Sequence, residues 1–312
     1  MTAEYAGNIY LNRDQVRSKF TEVAGYRTHY LEAGSDSAFP LVLIHGGNFH
    51  LGLAAERWFP TIVPLSRDFH VFAPDEIGSG FSDPPRIITD IGDVRMRADH
   101  VLAFVEALGL GPVHLVGQSQ GAWIAAYIAI KRPDLVRNLV LVDSASLTLP
   151  EGGLNHANVA QRHTDTFLPN TMYCDGLKPD AESVRRYLSS MLYDVMQLPD
   201  GFMKYAIDRA RHWLPIWDKP WRTFWEDGGR RNREQYLVDG VHLRDHLHKL
   251  KTAPLIIWGK DTVKGLQSGI ELFKSLPDSE LHVFDKANHF LWIDQPERFN
   301  RSVSSFLVSR TG

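Results

Sequence analysis

The chain has 312 residues, 44% hydrophobic and 23% charged, a composition suited to one large globular domain or a core with an insertion. Its net charge of -3 offers no basic field for nucleic acid or an anionic membrane surface, and no window approaches the roughly 18 apolar residues of a membrane span. One cysteine, Cys174, excludes an internal disulfide and a cysteine-based metal cluster, and with no basic-then-apolar leader the expectation is a reducing, cytoplasmic location.

Residues 20–31 hold two β-rich runs around Ala24-Gly25 and predict a hairpin. Apolar runs at 40–44, 69–73, 113–116, 139–142, 254–258 and 281–284 predict strands buried on both faces. Helical spacing of Ala98, Val101, Leu102, Val105 and Leu108 predicts an amphipathic helix over 95–108, stopped by Gly109 and Gly111. Further helices are expected at 122–130, 268–276 and 296–308. Strands alternating with helices imply an α/β fold with a mostly parallel central sheet flanked by helices. Residues 147–245 break that rhythm. They carry Trp213, Trp217, Trp221 and Trp225 but no apolar strand, and prolines at 169, 179, 199, 215 and 220 predict short helices. The expected organisation is a first core part at 1–146, an inserted helical cap at 147–245, and a last core part at 246–312.

The chemistry centres on Gly117-Gln118-Ser119-Gln120-Gly121, between a predicted strand and a predicted helix. Glycines two residues either side of Ser119 suit a sharp strand–turn–helix elbow that exposes the hydroxyl at a helix N-terminus. A serine nucleophile needs a base, and the base needs a group to hold its tautomer. Of fourteen histidines, His289 lies in a turn just after a predicted strand, at the sheet edge where α/β proteins build their sites. His114 and His282 fall inside strands and read as structural. His242, His246 and His248 read as a solvated face rather than a zinc site, and His45 as a structural hydrogen-bonder. For the acid, Asp261 after 254–258 is favoured, with Asp143 at the end of 139–142 as the alternative. Backbone N–H groups of Gly47 and Gln120 are the expected oxyanion donors. No cofactor or metal is expected.

Together HGG at 45–47, DEIGSGFSD at 75–83, GQSQG at 117–121, WGKD at 258–261 and NHF at 288–290 resemble the α/β-hydrolase superfamily along nearly the whole chain. Within it the chain looks most like the meta-cleavage-product hydrolases, through HGGNFHLGLAAERW, GSGFSDPP and LHVFDKANHFLWIDQPERFN. That resemblance implies the α/β-hydrolase fold and C–C hydrolysis of a 2-hydroxy-6-oxo-dienoate from aromatic ring cleavage. In that reaction His289 also helps the dienol become the keto form. It implies a small-molecule substrate and a cap arginine for the substrate carboxylate, Arg209 or Arg211. Asn48, Gln118, Trp213 and Phe290 join Arg209 as candidate substrate contacts, and self-association is left open. Three departures stand out. Gln118 replaces the usual Asn before the nucleophile, Asn48 follows Gly47 where the loop usually carries a further glycine, and only Lys260 separates Gly259 from Asp261, which keeps Asp143 in play. A carboxylesterase or lactonase on the same groups, and a slow-turnover receptor, are the other readings.

Overall fold

The computed structural model describes residues 14–47, 51–148, 178–226 and 236–310, without the side chains of Thr89 and 216–226. Its centre is an eight-stranded sheet. In chain order the strands are β1 (Arg17–Val23), β2 (Tyr26–Ala33), β3 (Phe39–Ile44), β4 (Phe69–Pro74), β5 (Val113–Gln118) and β6 (Val136–Val142). A separate two-stranded ladder, β7 (Leu237–Val238) with β8 (Val241–His242), precedes β9 (Leu255–Gly259) and β10 (Glu280–Phe284). The large sheet runs β1-β2-β4-β3-β5-β6-β9-β10. The β1–β2 and β2–β4 pairs are antiparallel and the rest parallel. The hairpin turn places Ala24 and Gly25 at φ 49 and 80, the positive pair that matches strand twist in a tight two-residue turn.

Both faces of the parallel part are buried, which explains its unbroken apolar runs. Leu41, Leu43, Val140, Val142, Leu255 and Ile257 enter one apolar cluster, while Val42, Ile44, Leu139, Leu141 and Ile256 enter the other. Each such side chain contributes about 1.5–3 kcal/mol on burial. Helices α1 (Phe59–Leu65), α2 (Val94–Ala107) and α3 (Gln120–Lys131) flank the sheet. Asp93 caps α2 by accepting the Arg95 and Met96 N–H groups.

The stretch between β6 and β9 adds no strand to the large sheet among the described residues. It contains α4 (Ala181–Met191) and α5 (Phe202–Glu226). The expected chopping at Pro215 and Pro220 does not occur, because α5 runs through both prolines as one 25-residue helix. Phe202, Tyr205, Ala206, Arg209, Ala210 and Trp213, at helical spacing, bury one face of α5, and that packing outweighs the amide bond each proline removes. By Tyr236 the chain is again packed on the α3 side of the core. The expected solvated histidine face also fails at His246, which is buried with Nε2 2.8 Å from the Val238 carbonyl. The core closes with α6 (Leu266–Ser275), α7 (Leu291–Asp294) and α8 (Pro296–Val308). No described helix is long and apolar enough to cross a membrane.

Register determines what meets at the sheet's C-terminal edge. Ile44 pairs with Gly117, Gln118 with Val142, Val142 with Ile257, and Gly259 with Phe284. The loops after β3, β5, β6, β9 and β10 therefore leave the sheet side by side. The chain also reverses its direction of growth between β3 and β5, the crevice where open α/β sheets place ligands.

Candidate active site

Ser119 stands at the junction of β5 and α3 with φ 55 and ψ -121, a conformation few non-glycine residues adopt. Its amide donates to the Val142 carbonyl at 2.9 Å, and its own carbonyl accepts the Ser144 hydroxyl at 2.6 Å. The flanking glycines are steric necessities. A Cβ on Gly117 would overlap the Gly121 carbonyl, and one on Gly121 would overlap the Ile44 carbonyl. The loop after β3 lies directly on this elbow, because a Cβ on Gly46 would come 2.8 Å from Ser119 Cβ. The HGG loop and the first turn of α3, which carry the expected donors Gly47 and Gln120, are thus adjacent. Asn48 and Cys174 lie outside the described residues.

His289 sits after β10, 5% exposed, in a loop organised by Asn288. Asn288 Oδ1 accepts the Val263 and His289 amides, and its Nδ2 donates to the Ser190 and Leu192 carbonyls at the end of α4. The imidazole Nδ1 is 2.5 Å from Asp143 Oδ2. Asp143 has no solvent exposure and also accepts the Thr262 hydroxyl at 2.6 Å and the Gly259 amide at 3.3 Å.

The favoured Asp261 is not that partner. Its side chain is exposed, and its amide turns back to the Ala287 carbonyl at 3.0 Å. The reason is register: Asp143 directly follows Val142, which pairs with Gln118 beside the elbow, whereas Asp261 lies two residues past the end of β9. Thr262, next to it, is the residue that turns inward.

With Nδ1–H donated to Asp143, His289 Nε2 carries the lone pair, and the Gln118 amide donates to it at 3.0 Å. Burial lowers the His289 pKa, opposed by the hydrogen bond it donates to Asp143, so the ring rests neutral. Among the described residues the Ser119 hydroxyl has no hydrogen bond of its own. The unusual Gln118 therefore touches the base.

Several buried groups here carried no sequence signal. Arg97 pairs with Glu76 through Nε at 2.5 Å and through Nη2, and its Nη1 donates to Gln120 Oε1 at 2.7 Å. Gln120 Nε2 in turn donates to the Tyr236 hydroxyl at 2.7 Å. The side chain of the expected oxyanion donor is thereby held from two sides. Burial pushes Glu76 up to about 7 against the pull of Arg97. His45 is structural as expected: Nδ1–H donates to the Gly46 carbonyl at 2.7 Å, Nε2 accepts the Glu76 amide at 3.2 Å, and burial pushes it down to about 3. Arg57, 2% exposed, donates through Nη2 to the Gly46 carbonyl at 3.0 Å.

The cap candidates have mainly structural partners. Arg209 Nη2 donates to the Gly52 and Gly80 carbonyls at 2.8 and 3.0 Å, and the guanidinium lies 4.4 Å over the Phe81 ring. It ties α5 to two core loops rather than presenting a free fork. Arg211 is exposed and pairs with Asp208. Trp213 packs on Gly52, leaving no room there for a Cβ. Trp217, Trp221 and Trp225 have side chains outside the described set. Phe290 is 3% exposed, stacked on His289 at 5.7 Å and tilted against Trp292 at 5.3 Å. One described cluster has metal-ligand geometry, Glu32 with Asp36 and His70, but Arg17 and Lys19 already neutralise Glu32.

Residues 40–296 match the family model for the alpha/beta hydrolase fold. A 2-hydroxymuconate semialdehyde hydrolase from Pseudomonas putida is 28% identical over 291 residues, 91% of this chain and 92% of that protein. A 2-hydroxy-6-oxononadienedioate/2-hydroxy-6-oxononatrienedioate hydrolase from Burkholderia vietnamiensis is 26% identical, over 95% of this chain and 98% of that one. Among solved structures, a meta-cleavage product hydrolase from Pseudomonas fluorescens superposes with a TM-score of 0.75 and 27% identity, covering 93% of this chain and 97% of that one.

Proposed function

Because the chain belongs to the alpha/beta hydrolase fold family, we propose that this hydrolase uses Ser119, His289 and Asp143 to cleave a C–C bond in a 2-hydroxy-6-oxo-dienoate, without a cofactor. The observation that carries the reading is the 2.5 Å contact from His289 Nδ1 to Asp143, which leaves the Nε2 lone pair at the nucleophile elbow. The substrate's dienol first becomes a ketone, with His289 assisting the proton transfer. Ser119 Oγ then attacks the ketone carbon while His289 Nε2, giving up the hydrogen bond from the Gln118 amide, takes its proton. The Gly47 and Gln120 N–H groups receive the developing oxyanion, and the Arg97–Gln120–Tyr236 contacts keep the second donor in place. Collapse breaks the adjacent C–C bond, its electron pair passes into the conjugated enolate, and that carbon is protonated from His289. Water, deprotonated by His289, then releases the acyl group from Ser119. Within the part of the chain taken as the cap, the described residues Ser190, Leu192 and Arg209 bond loops at this edge, a cover that limits water during the tetrahedral steps.

A coloured dienoate ring-fission product tests this directly. Wild type bleaches it, and Ser119→Ala slows bleaching by about 10³-fold or more. Turnover of p-nitrophenyl esters with every dienoate left coloured would replace this reading with the carboxylesterase one.

The Gln118 contact makes a separate prediction. Its amide stabilises the neutral imidazole, so Gln118→Ala raises the pKa of the base. The acid limb of the kcat/KM profile then moves to higher pH by about half a unit to one unit. An unmoved limb sinks the assigned contact.

A further inference from the structure

Arg57 is a cation buried beside the reacting centre with no directly paired carboxylate among the described residues. Among the described residues, no carboxylate forms an ion pair with its guanidinium, and its Nε is buried with no hydrogen-bond partner. The nearby acids are engaged elsewhere. Glu56 accepts the Tyr205 hydroxyl and the Ala54 amide, both at 2.9 Å, and faces Arg209 at 3.8 Å. Glu76 is held by Arg97. What fixes Arg57 in place is neutral: the Gly46 carbonyl on Nη2, the Phe290 ring 5.4 Å below, and Trp292 Nε1 donating 2.9 Å to the Arg57 carbonyl. Glu56 and Glu76 attract it only from beyond ion-pair distance, so burial of this guanidinium is costly and a directly bound anion would offset that cost.

Its position says which anion. Gly46 touches Arg57 through its carbonyl, and a Cβ on it would come 2.8 Å from Ser119 Cβ, so the guanidinium and the nucleophile both neighbour one glycine. Phe290 beneath Arg57 also stacks on His289. The geometry points to Arg57, on the core side of the site, as the seat of the substrate's carboxylate, in place of a cap arginine. This assignment rests on the proposed function for the substrate but needs only a small planar carboxylate for its test. Arg209, whose contacts fasten α5 to the core, is then a structural residue.

Benzoate and its neutral isostere benzamide, titrated into wild type, Arg57→Met, Arg57→Lys and Arg209→Met and followed by tryptophan fluorescence, test the seat. Wild type should bind benzoate about 100-fold tighter than benzamide, the scale expected for a desolvated charge pair. Arg57→Met should abolish that preference, Arg57→Lys should keep part of it, and Arg209→Met should keep it. With the dienoate, Arg57→Met should raise KM by about 100-fold and change kcat far less. Equal binding of the two probes by wild type, or loss of the preference in Arg209→Met instead, overturns the assignment. If Arg57→Met fails to fold, Arg57→Gln supplies the neutral comparison. An Arg57-dependent benzoate preference in a protein that leaves every dienoate coloured would keep the anion seat and reject the ring-fission substrate.

Discussion

Asp143→Asn lowers kcat by about 10³–10⁴-fold, while Asp261→Asn stays within about twofold of wild type. An asparagine at 143 can present its amide nitrogen to His289 Nδ1. That contact favours the tautomer with the proton on Nε2, and the ring then cannot take a proton from Ser119. The Gly259 amide still donates to the remaining Oδ1 and holds the substituted side chain in place, while the Thr262 hydroxyl, a donor to the oxygen that becomes the amide nitrogen, turns to accept from it. The loss should therefore appear in kcat with little change in substrate affinity or melting temperature. Asp261, hydrated and outside this set of contacts, has nothing to lose on neutralisation. Steady-state kinetics of both variants on the dienoate decide the matter. A large loss confined to Asp261→Asn would return the acid to β9.

Acidification from pH 7 to pH 4 should destabilise the fold by several kcal/mol, because three histidines are buried neutral. Burial pushes His45 down to about 3 and His100 and His114 down to about 4. All three have polar partners that suit the uncharged ring: Gly46 and Glu76 for His45, Thr28 and Ile77 for His100, and Asn138 for His114. A histidine whose folded pKa is depressed binds fewer protons folded than unfolded. Stability is therefore complete above the unfolded value and falls as pH drops through the window down to the folded pKa. At pH 5 each costs about 2 kcal/mol. Two buried carboxyls act the other way. Glu76, pushed up to about 7, and Asp294, pushed up to about 6, hold protons in the folded state and gain stability as pH falls through those values. They offset part of the loss, while His289, whose pKa burial also lowers, and Asp75 and Glu32, whose partners hold them against burial below the usual carboxylate range, add to it as pH falls. Thermal melts should fall progressively between pH 7 and pH 4. His100→Gln or His114→Asn should each remove part of the slope. A melting temperature that is flat or rising toward acid would contradict the buried neutral histidines.

The elements that were legible are those whose cause is local. Two-sided burial writes itself into runs such as 40–44 and 139–142, and helical spacing located 95–108 and 296–308 to within a residue of the observed Val94–Ala107 and Pro296–Val308. The elbow was readable because its two glycines answer to atoms a few residues away or to the neighbouring strand end. His289 was readable because it follows an apolar strand in a turn. The long helix through Pro215 and Pro220 was not, because proline's penalty is local whereas the packing that overrides it comes from core loops far away in sequence.

The amino-acid sequence by itself determined the strand–helix alternation, the strained serine turn and the candidate base, since each follows from residue spacing and backbone sterics. Only the tertiary structure decided which aspartate faces that base. The choice depends on strand order and register, which put Val142 beside Gln118 and leave Asp261 in solvent. It likewise decided that Arg209 is a tie and Arg57 a cation with no directly paired carboxylate among the described residues. A guanidinium's role depends on whether its neighbours in space are carbonyls, carboxylates or nothing, and spacing along the chain does not encode that.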